Sequence, residues 1–331
     1  MVASSLLVAC NTASVYDSDY PEWVQSEPDN YPHAQYLSAT GSASNAEQAK
    51  ARALGNLAKV FEVQINEVSV SVDDVRTHEV QGVETVEKRR NLASTVNLET
   101  SKMVQGARIA EQWQNSADLS YYALAVLNRS QAGNNIRDEM LRLDKETQYS
   151  LDQYKTRSDA IKKISDLQQV NTLQNDRQLL QKALKVIDVQ GRGSPAKWTL
   201  AELREELGQA LIDLPLRTRG VNDDVGELEQ ILQGAAARAG FDPGARNGEQ
   251  SYSLVAAVDS QPPIKKNDWY WLRSSLKIEL VSLDGNSVLG YRTWMLKVSA
   301  GDVSQLNGRM KKSVEEKLED ELLSSMLDFA S

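Results

Sequence analysis

Few residues of this chain have the type and spacing that chemistry requires. Ser194-Pro-Ala-Lys197 and Ser274-Ser-Leu-Lys277 both fit Ser-x-x-Lys, in which a lysine amine activates a serine for acyl transfer, but neither has the Lys-Thr-Gly partner of such a site. Asp223-Asp224 could serve as an acid and base or as metal ligands, yet it precedes a helical pattern, and carboxylates stabilise helix N-termini, so capping is the expected role. With one cysteine, Cys10, and two histidines, His33 and His78, there are too few soft ligands for structural zinc, a Cys-His nucleophile or a disulfide framework. No phosphate loop, zincin helix, nucleophile elbow or dinucleotide fingerprint is present. The expectation is a protein without a catalytic site, metal or cofactor.

Trp269-Tyr270-Trp271 is the most unusual local feature, because strand alternation would send Tyr270 to one face and both tryptophans to the other. One face is then core and the other a contact surface, since tryptophan and tyrosine are enriched at interfaces and stack on sugar rings. Packing, with Trp294 as neighbour across a hairpin, a protein partner and a glycan are the three readings, in that order. These three residues are the candidate partner-binding site. The run from Glu315-Glu316 to Asp320-Glu321 reads as a solvated helix face with Lys311, Lys312 and Lys317 giving local pairs. His33 and His78 fall in polar stretches and are expected to be solvated.

The 331 residues allow about two domains, each long enough to bury a core without disulfides. Thirty-seven basic residues against 46 acidic ones, net −9, with no strong basic run, make a nucleic-acid partner unexpected. Met1 to Cys10 form a short apolar run that ends in small residues, the pattern of the tail of a secretory signal. Leu7-Val8-Ala9-Cys10 resembles the bacterial lipobox, in which signal peptidase cuts before a lipid-modified cysteine. The run has no basic flank, which places the expected start codon upstream. Asn11 rather than Asp after the cysteine resembles cargo sorted to the outer membrane. No other stretch holds about 18 apolar residues, so no helix is expected to span a bilayer.

Residues 11–35 are polar and proline-containing and read as a tether. From Ser44 or Asn45 as cap, Ala46, Ala49, Ala53, Leu57, Val60 and Phe61 recur at helical spacing. Val68, Val70 and Val72 alternate as in a strand, and Met103, Gln105, Ala107, Ile109, Glu111 and Trp113 form one face of a second. A turn at 115–118 leads to a third strand, 121–127. Residues 131–190 are helical, as an antiparallel pair or a protruding arm, with Thr147 and Ser158 spoiling a coiled-coil seam. After Gly191 to Pro195 a second domain, 197–331, should contain a helix at 200–207, a strand-like run at 211–219 and a helix at 225–239. Strands at 252–258, 269–283 and 288–298 follow, the last two joined by an Asp284-Gly285 turn, and then a closing helix at 306–326. The fold class is α+β: two small antiparallel-sheet-plus-helix domains, 36–130 and 197–331, joined by a long helical segment.

Tyr36-Leu-Ser-Ala-Thr-Gly41, the alanine-rich run from Ala46 to Ala58, Trp113 and Tyr121-Tyr-Ala-Leu-Ala-Val-Leu127 together resemble the LPP20 family of bacterial lipoproteins. Gly41 is expected to allow a bend where a strand reaches the helix cap. The resemblance implies a non-catalytic lipoprotein, anchored through lipid on Cys10 to the periplasmic side of the outer membrane, with relatives that are flagellum-associated. Residues 197–331 are loosely similar to small α+β domains of periplasmic assembly lipoproteins, including activators of penicillin-binding proteins. The implied roles are a structural or assembly component of the envelope, or alternatively a regulator that activates a peptidoglycan synthase. The implied partners are the membrane, envelope or flagellar proteins or a second copy, and peptidoglycan or its synthases.

Overall fold

The computed structural model describes residues 20–73, 106–243, 251–283 and 287–329. Cys10, His78, Met103, Gln105 and the Asp284-Gly285 turn lie outside the described residues. The chain falls into two units, Met1–Met140 with Gln178–Pro195, and Leu141–Arg177 with Ala196–Ser331. Helices and sheets of both kinds make it an α+β protein, as the periodicities require.

In the first unit the short helix α1 (Glu22–Gln25) is followed by strand β1 (Tyr36–Ala43), helix α2 (Ala46–Asp73), and strands β2 (Arg108–Gln114) and β3 (Tyr121–Asn128). The antiparallel sheet runs β1-β3-β2, so the apolar strand β3 is central. Asn45 caps α2, its Oδ1 accepting from the Gln48 amide at 2.9 Å. Ala49, Ala53, Leu57, Phe61 and Ile65 are buried along one helix face, whereas Val60 is exposed. The alternation at 68–72 does not make a strand: α2 continues to Asp73, because a register begun by a capped, alanine-rich helix persists through the valines.

Gly41 is not a bend. It lies within β1, and a Cβ there would stand 2.2 Å from the Ala53 amide nitrogen and 2.7 Å from the Ala49 carbonyl oxygen. Directly across the ladders Gly41 faces Ala123, and Ala39 faces Ala125. This row of small residues brings the helix backbone onto the sheet. Between Ile109 and Glu111 a bulge at Ala110 shifts the register of β2, so the proposed single face ends there. Beyond the bulge Trp113 pairs with Tyr122, and Tyr20 joins them with centroids 5.0 and 5.7 Å away. Asn115 donates to the Tyr20 hydroxyl at 2.8 Å. The stretch read as tether is therefore packed on the sheet from Tyr20 onward.

Helices α3 (Arg129–Thr156) and α4 (Ala160–Ile187) account for the long helical segment, with Ser158 in their connection. In the first unit Arg129 ties three pieces of chain together. Its Nε donates to the His33 carbonyl at 2.8 Å, and Nη1 to the Val186 and Ile187 carbonyls at 2.9 and 3.0 Å. Nη2 lies 2.9 Å from His33 Nε2, which must accept because guanidinium has no acceptor. His33 is exposed, yet it is a structural partner rather than a solvated side chain. Burial pushes the Arg129 guanidinium down from its ordinary pKa. In the second unit Thr147 is buried and accepts from Gln174 Nε2 at 2.8 Å, while Arg177 pairs with Asp144 at 2.7 Å. A hydrogen-bonded polar seam stands where a heptad would need apolar residues.

The second unit continues with α5 (Leu200–Ile212), opened by a Thr199–Glu202 capping box. The Thr199 hydroxyl and amide hold the Glu202 carboxyl below the usual carboxylate range. The strand expected from 211 starts later, as β4 (Leu216–Asp223), because the helix runs to Ile212 and Pro215 intervenes. Then come α6 (Leu228–Arg238), β5 (Tyr252–Ser260), β6 (Ile264–Lys266), β7 (Trp269–Ser282), β8 (Ser287–Ala300) and α7 (Leu306–Asp328). The sheet is mixed rather than antiparallel: β4 runs parallel to β5, while β5, β6 and β8 are antiparallel to β7. A helix, α6, intervenes between β4 and β5, which makes the parallel pairing possible. Helices α6 and α7 cover one sheet face, where Leu228, Leu232, Leu276, Ile278, Leu280, Met310, Val314 and Leu318 form the core.

Two glycines of the first unit give opposite expectations. Gly41→Ala forces the α2 backbone off the sheet and should cost about 1–3 kcal/mol or more. Gly55 sits in α2 with nothing within 4 Å of a Cβ, so Gly55→Ala should gain up to about 1 kcal/mol. Chemical denaturation of both variants checks this; equal effects would contradict the close approach.

Candidate functional site

The alternation of β7 assigns every side chain of that strand to a face. Tyr270 packs against the core, and Leu272, Ser274, Leu276, Ile278 and Leu280 are buried. Trp269, Trp271, Arg273, Ser275, Lys277 and Glu279 take the opposite face. Leu272 is 7% exposed and Trp269 48%. The trio read from sequence is thus divided: the two tryptophans stand on the open face and Tyr270 does not.

Register then brings further residues to them. Ile264 pairs with Trp271 and Lys266 with Trp269 across β6, while Arg273 pairs with Lys297 across β8. Directly opposed residues share a face, so all six meet. The β6–β7 connection is the two-residue turn Asn267-Asp268 with φ of 51° and 60°, the left-handed pair that a tight hairpin needs and that Asn and Asp tolerate. Pro262-Pro263 separates β5 from β6, and the Gln261 amide still donates to the Arg273 carbonyl at 2.9 Å. The result is a cleft of about 400 Å³, lined by Gln261, Pro262, Ile264, Lys266, Asn267, Trp269, Trp271, Arg273 and Lys297.

Its lining is aromatic and cationic and contains no carboxylate. Lys297 Nζ stands 4.2 Å from the Trp271 ring centroid, a cation–π contact that fixes one side of the indole. Among the described residues Lys266, Arg273 and Lys297 make no ion pair, and the nearby Asp268 is 3.8 Å from Lys265 instead. The open face continues away from the cleft with Tyr291, 65% exposed and 5.1 Å from Lys277 Nζ, and with Met295, 71% exposed. Arg217 and Arg219 lie on the same face in β4. Asp259, opposite Ser275, and Glu279 lie on this face too, and Glu279 is paired with Lys277.

The other candidates are accounted for structurally. Trp294 is not beside the tryptophan pair: it opposes Leu276, packs on the core and donates to Glu321 at 2.6 Å. The Lys317 ammonium and that indole hold the Glu321 carboxyl below its usual range. Ser274 is buried and bonded to Ser260, on the face opposite Lys277, so this Ser-x-x-Lys cannot assemble. Lys197 donates to Gln148 and stands over Trp198. Asp223 accepts from the Leu228 amide at the start of α6, and Asp224 from the Ser260 amide, as capping and tying groups. In the acidic run Glu315 and Glu319 meet Arg238, and Glu316 pairs with Lys312. Lys266, Arg273 and Lys297 escaped the sequence reading; period two counted onward from Trp271 reaches Arg273, but Lys266 and Lys297 need the register.

Sheet and cleft define an α+β protein with an open, cationic and aromatic face. Residues 21–128 match the model of the LPP20 lipoprotein family. The match covers about a third of the chain and leaves the cleft outside it. The chain is similar to the secreted protein HP1454 from Helicobacter pylori, at 14% identity and a TM-score of 0.46, over 88% of this chain and 98% of that one. It is also similar to a candidate lipoprotein from Caulobacter crescentus CB15, at 16% identity and a TM-score of 0.26, over 35% of this chain and 88% of that one. No curated protein matches.

Alternation makes a direct stability test. Trp269→Ala removes an exposed side chain and should change stability by no more than about 0.5 kcal/mol, whereas Leu272→Ala should cost about 2–5 kcal/mol. Urea melts of the two variants check it; a large loss for Trp269→Ala would place that ring in the core.

Proposed function

We propose that this protein is a lipid-anchored component of the bacterial envelope, held by Cys10 at the outer membrane and facing the periplasm. The observation that carries the reading is the LPP20 lipoprotein match at residues 21–128, which begins eleven residues after Cys10, the only cysteine in the chain. Among the described residues no helix is long and apolar enough to cross a membrane. Two or three acyl chains suffice for stable anchoring, at about 0.8 kcal/mol per buried methylene.

The role is structural or in assembly rather than catalytic. The open face of the second sheet is the contact surface, because it gathers exposed aromatic and cationic side chains while the opposite face is filled by helices. What it meets in the periplasm is taken up below.

Cys10→Ser tests the anchor. The variant, expressed from its native start, should move from the membrane pellet to the soluble fraction while the parent survives a carbonate wash. A variant that stays in the washed pellet would overturn the proposal.

A further inference from the structure

We propose that the cleft of Trp269, Trp271, Lys266, Arg273 and Lys297 binds an anionic saccharide, one or a few sugar rings carrying a carboxylate. The inference deepens the contact-surface reading above and rests on it, but it does not depend on the anchor at Cys10.

Four properties point to this ligand. First, Trp269 and Trp271 are two residues apart on one strand face, so their Cα atoms stand about 7 Å apart and the two indoles offer a platform longer than one side chain. Indole faces suit the apolar faces of sugar rings, and one side of Trp271 is already held by Lys297. Second, Lys266, Arg273 and Lys297 ring that platform without a carboxylate in the lining, in a chain of net charge −9. Cations left without ion pairs beside aromatic rings select an anion, and Arg273 offers a fork for a carboxylate.

Third, Gln261 and Asn267 put side-chain amides at the rim, which can both donate to and accept from hydroxyls. Fourth, the volume of about 400 Å³ is at the small-ligand end of binding pockets. A lipid tail would find only Ile264 and Pro262 as aliphatic lining. A nucleic-acid strand would need a longer basic track than these three cations. An anionic saccharide uses the rings, the amides and the charges together.

The intact protein is titrated with four probes, followed by tryptophan fluorescence and calorimetry. They are the N-acetylglucosamine–N-acetylmuramate disaccharide, trigalacturonate, neutral tri-N-acetylglucosamine as reference, and an oligothymidylate as the nucleic-acid control. At least one anionic saccharide should bind about tenfold more tightly than the neutral one, a difference of about 1.4 kcal/mol. Preference for muramate assigns the ligand to cell-wall glycan, and preference for uronate to another acidic polysaccharide. Trp269→Ala should weaken the anionic probe about tenfold, and Arg273→Gln should abolish the preference for it over the neutral one. Both side chains are exposed, so circular dichroism should show these variants folded.

Absence of binding of both anionic saccharides at about 10 mM, beyond the range of weak specific affinity, would overturn the proposal. So would equal affinity for the neutral probe, tighter binding of an oligothymidylate than of both anionic saccharides, or binding untouched by Trp269→Ala. Loss of saccharide binding with membrane retention intact would leave the anchor standing, and the reverse would leave the cleft standing.

Discussion

A strand paired on both sides has no freedom except the choice of face, and β7 is such a strand. Its backbone is committed to β5 and β6 on one side and β8 on the other. Successive side chains must therefore point to opposite sides, and a shift of one residue would exchange core for solvent. Leu272, Leu276, Ile278 and Leu280 are fixed inward by burying their surface under α6 and α7. Each such aliphatic side chain contributes about 1.5–3 kcal/mol when buried. That burial, far more than any property of the tryptophans, holds Trp269, Trp271 and Arg273 outward. The cleft is thus a by-product of core packing made specific by register: β6 supplies Ile264 and Lys266 and β8 supplies Lys297.

The first unit shows a different constraint, the distance between two backbones. Gly41, Ala123 and Ala125 in the sheet and Ala49 and Ala53 in α2 leave no room for larger side chains where the layers meet. Arg129 adds the polar counterpart, donating to the His33 carbonyl before β1 and to the Val186 and Ile187 carbonyls at the C-terminal end of α4. Its removal would leave the buried Ile187 acceptor without this donor, a cost of about 1–3 kcal/mol.

Much of this was legible because the sequence pattern and the burial agree. The alanine spacing from Ala46, the alternation in 252–298 and the apolar positions from Leu306 to Met326 each mark the face that is buried. The LPP20 resemblance over residues 35–128 was legible for the same reason, since a glycine and alanines carry it. The failures have local causes. Alternating valines at 68–72 look like a strand only if the preceding helix is assumed to stop; Ala110 inserts a bulge that period two cannot reveal; and β4 pairs in parallel with β5 through a connection that composition does not specify. The site was half legible. Trp269 and Trp271 were visible as a pair, but Tyr270 was grouped with them and the cations were not, because cross-strand register is a property of two segments at once.

The open face at Trp271, rather than the helix-covered one, is the proposed meeting place of this protein and its ligand. The most direct measurement places a photo-crosslinking residue at position 271, and in parallel at the buried position 276, and irradiates living cells. Position 271 should yield an adduct that fragments to sugar ions in mass spectrometry, and position 276 only crosslinks within the chain. Intramolecular crosslinks alone at position 271, matching those at 276, would return that face to the core and contradict the account.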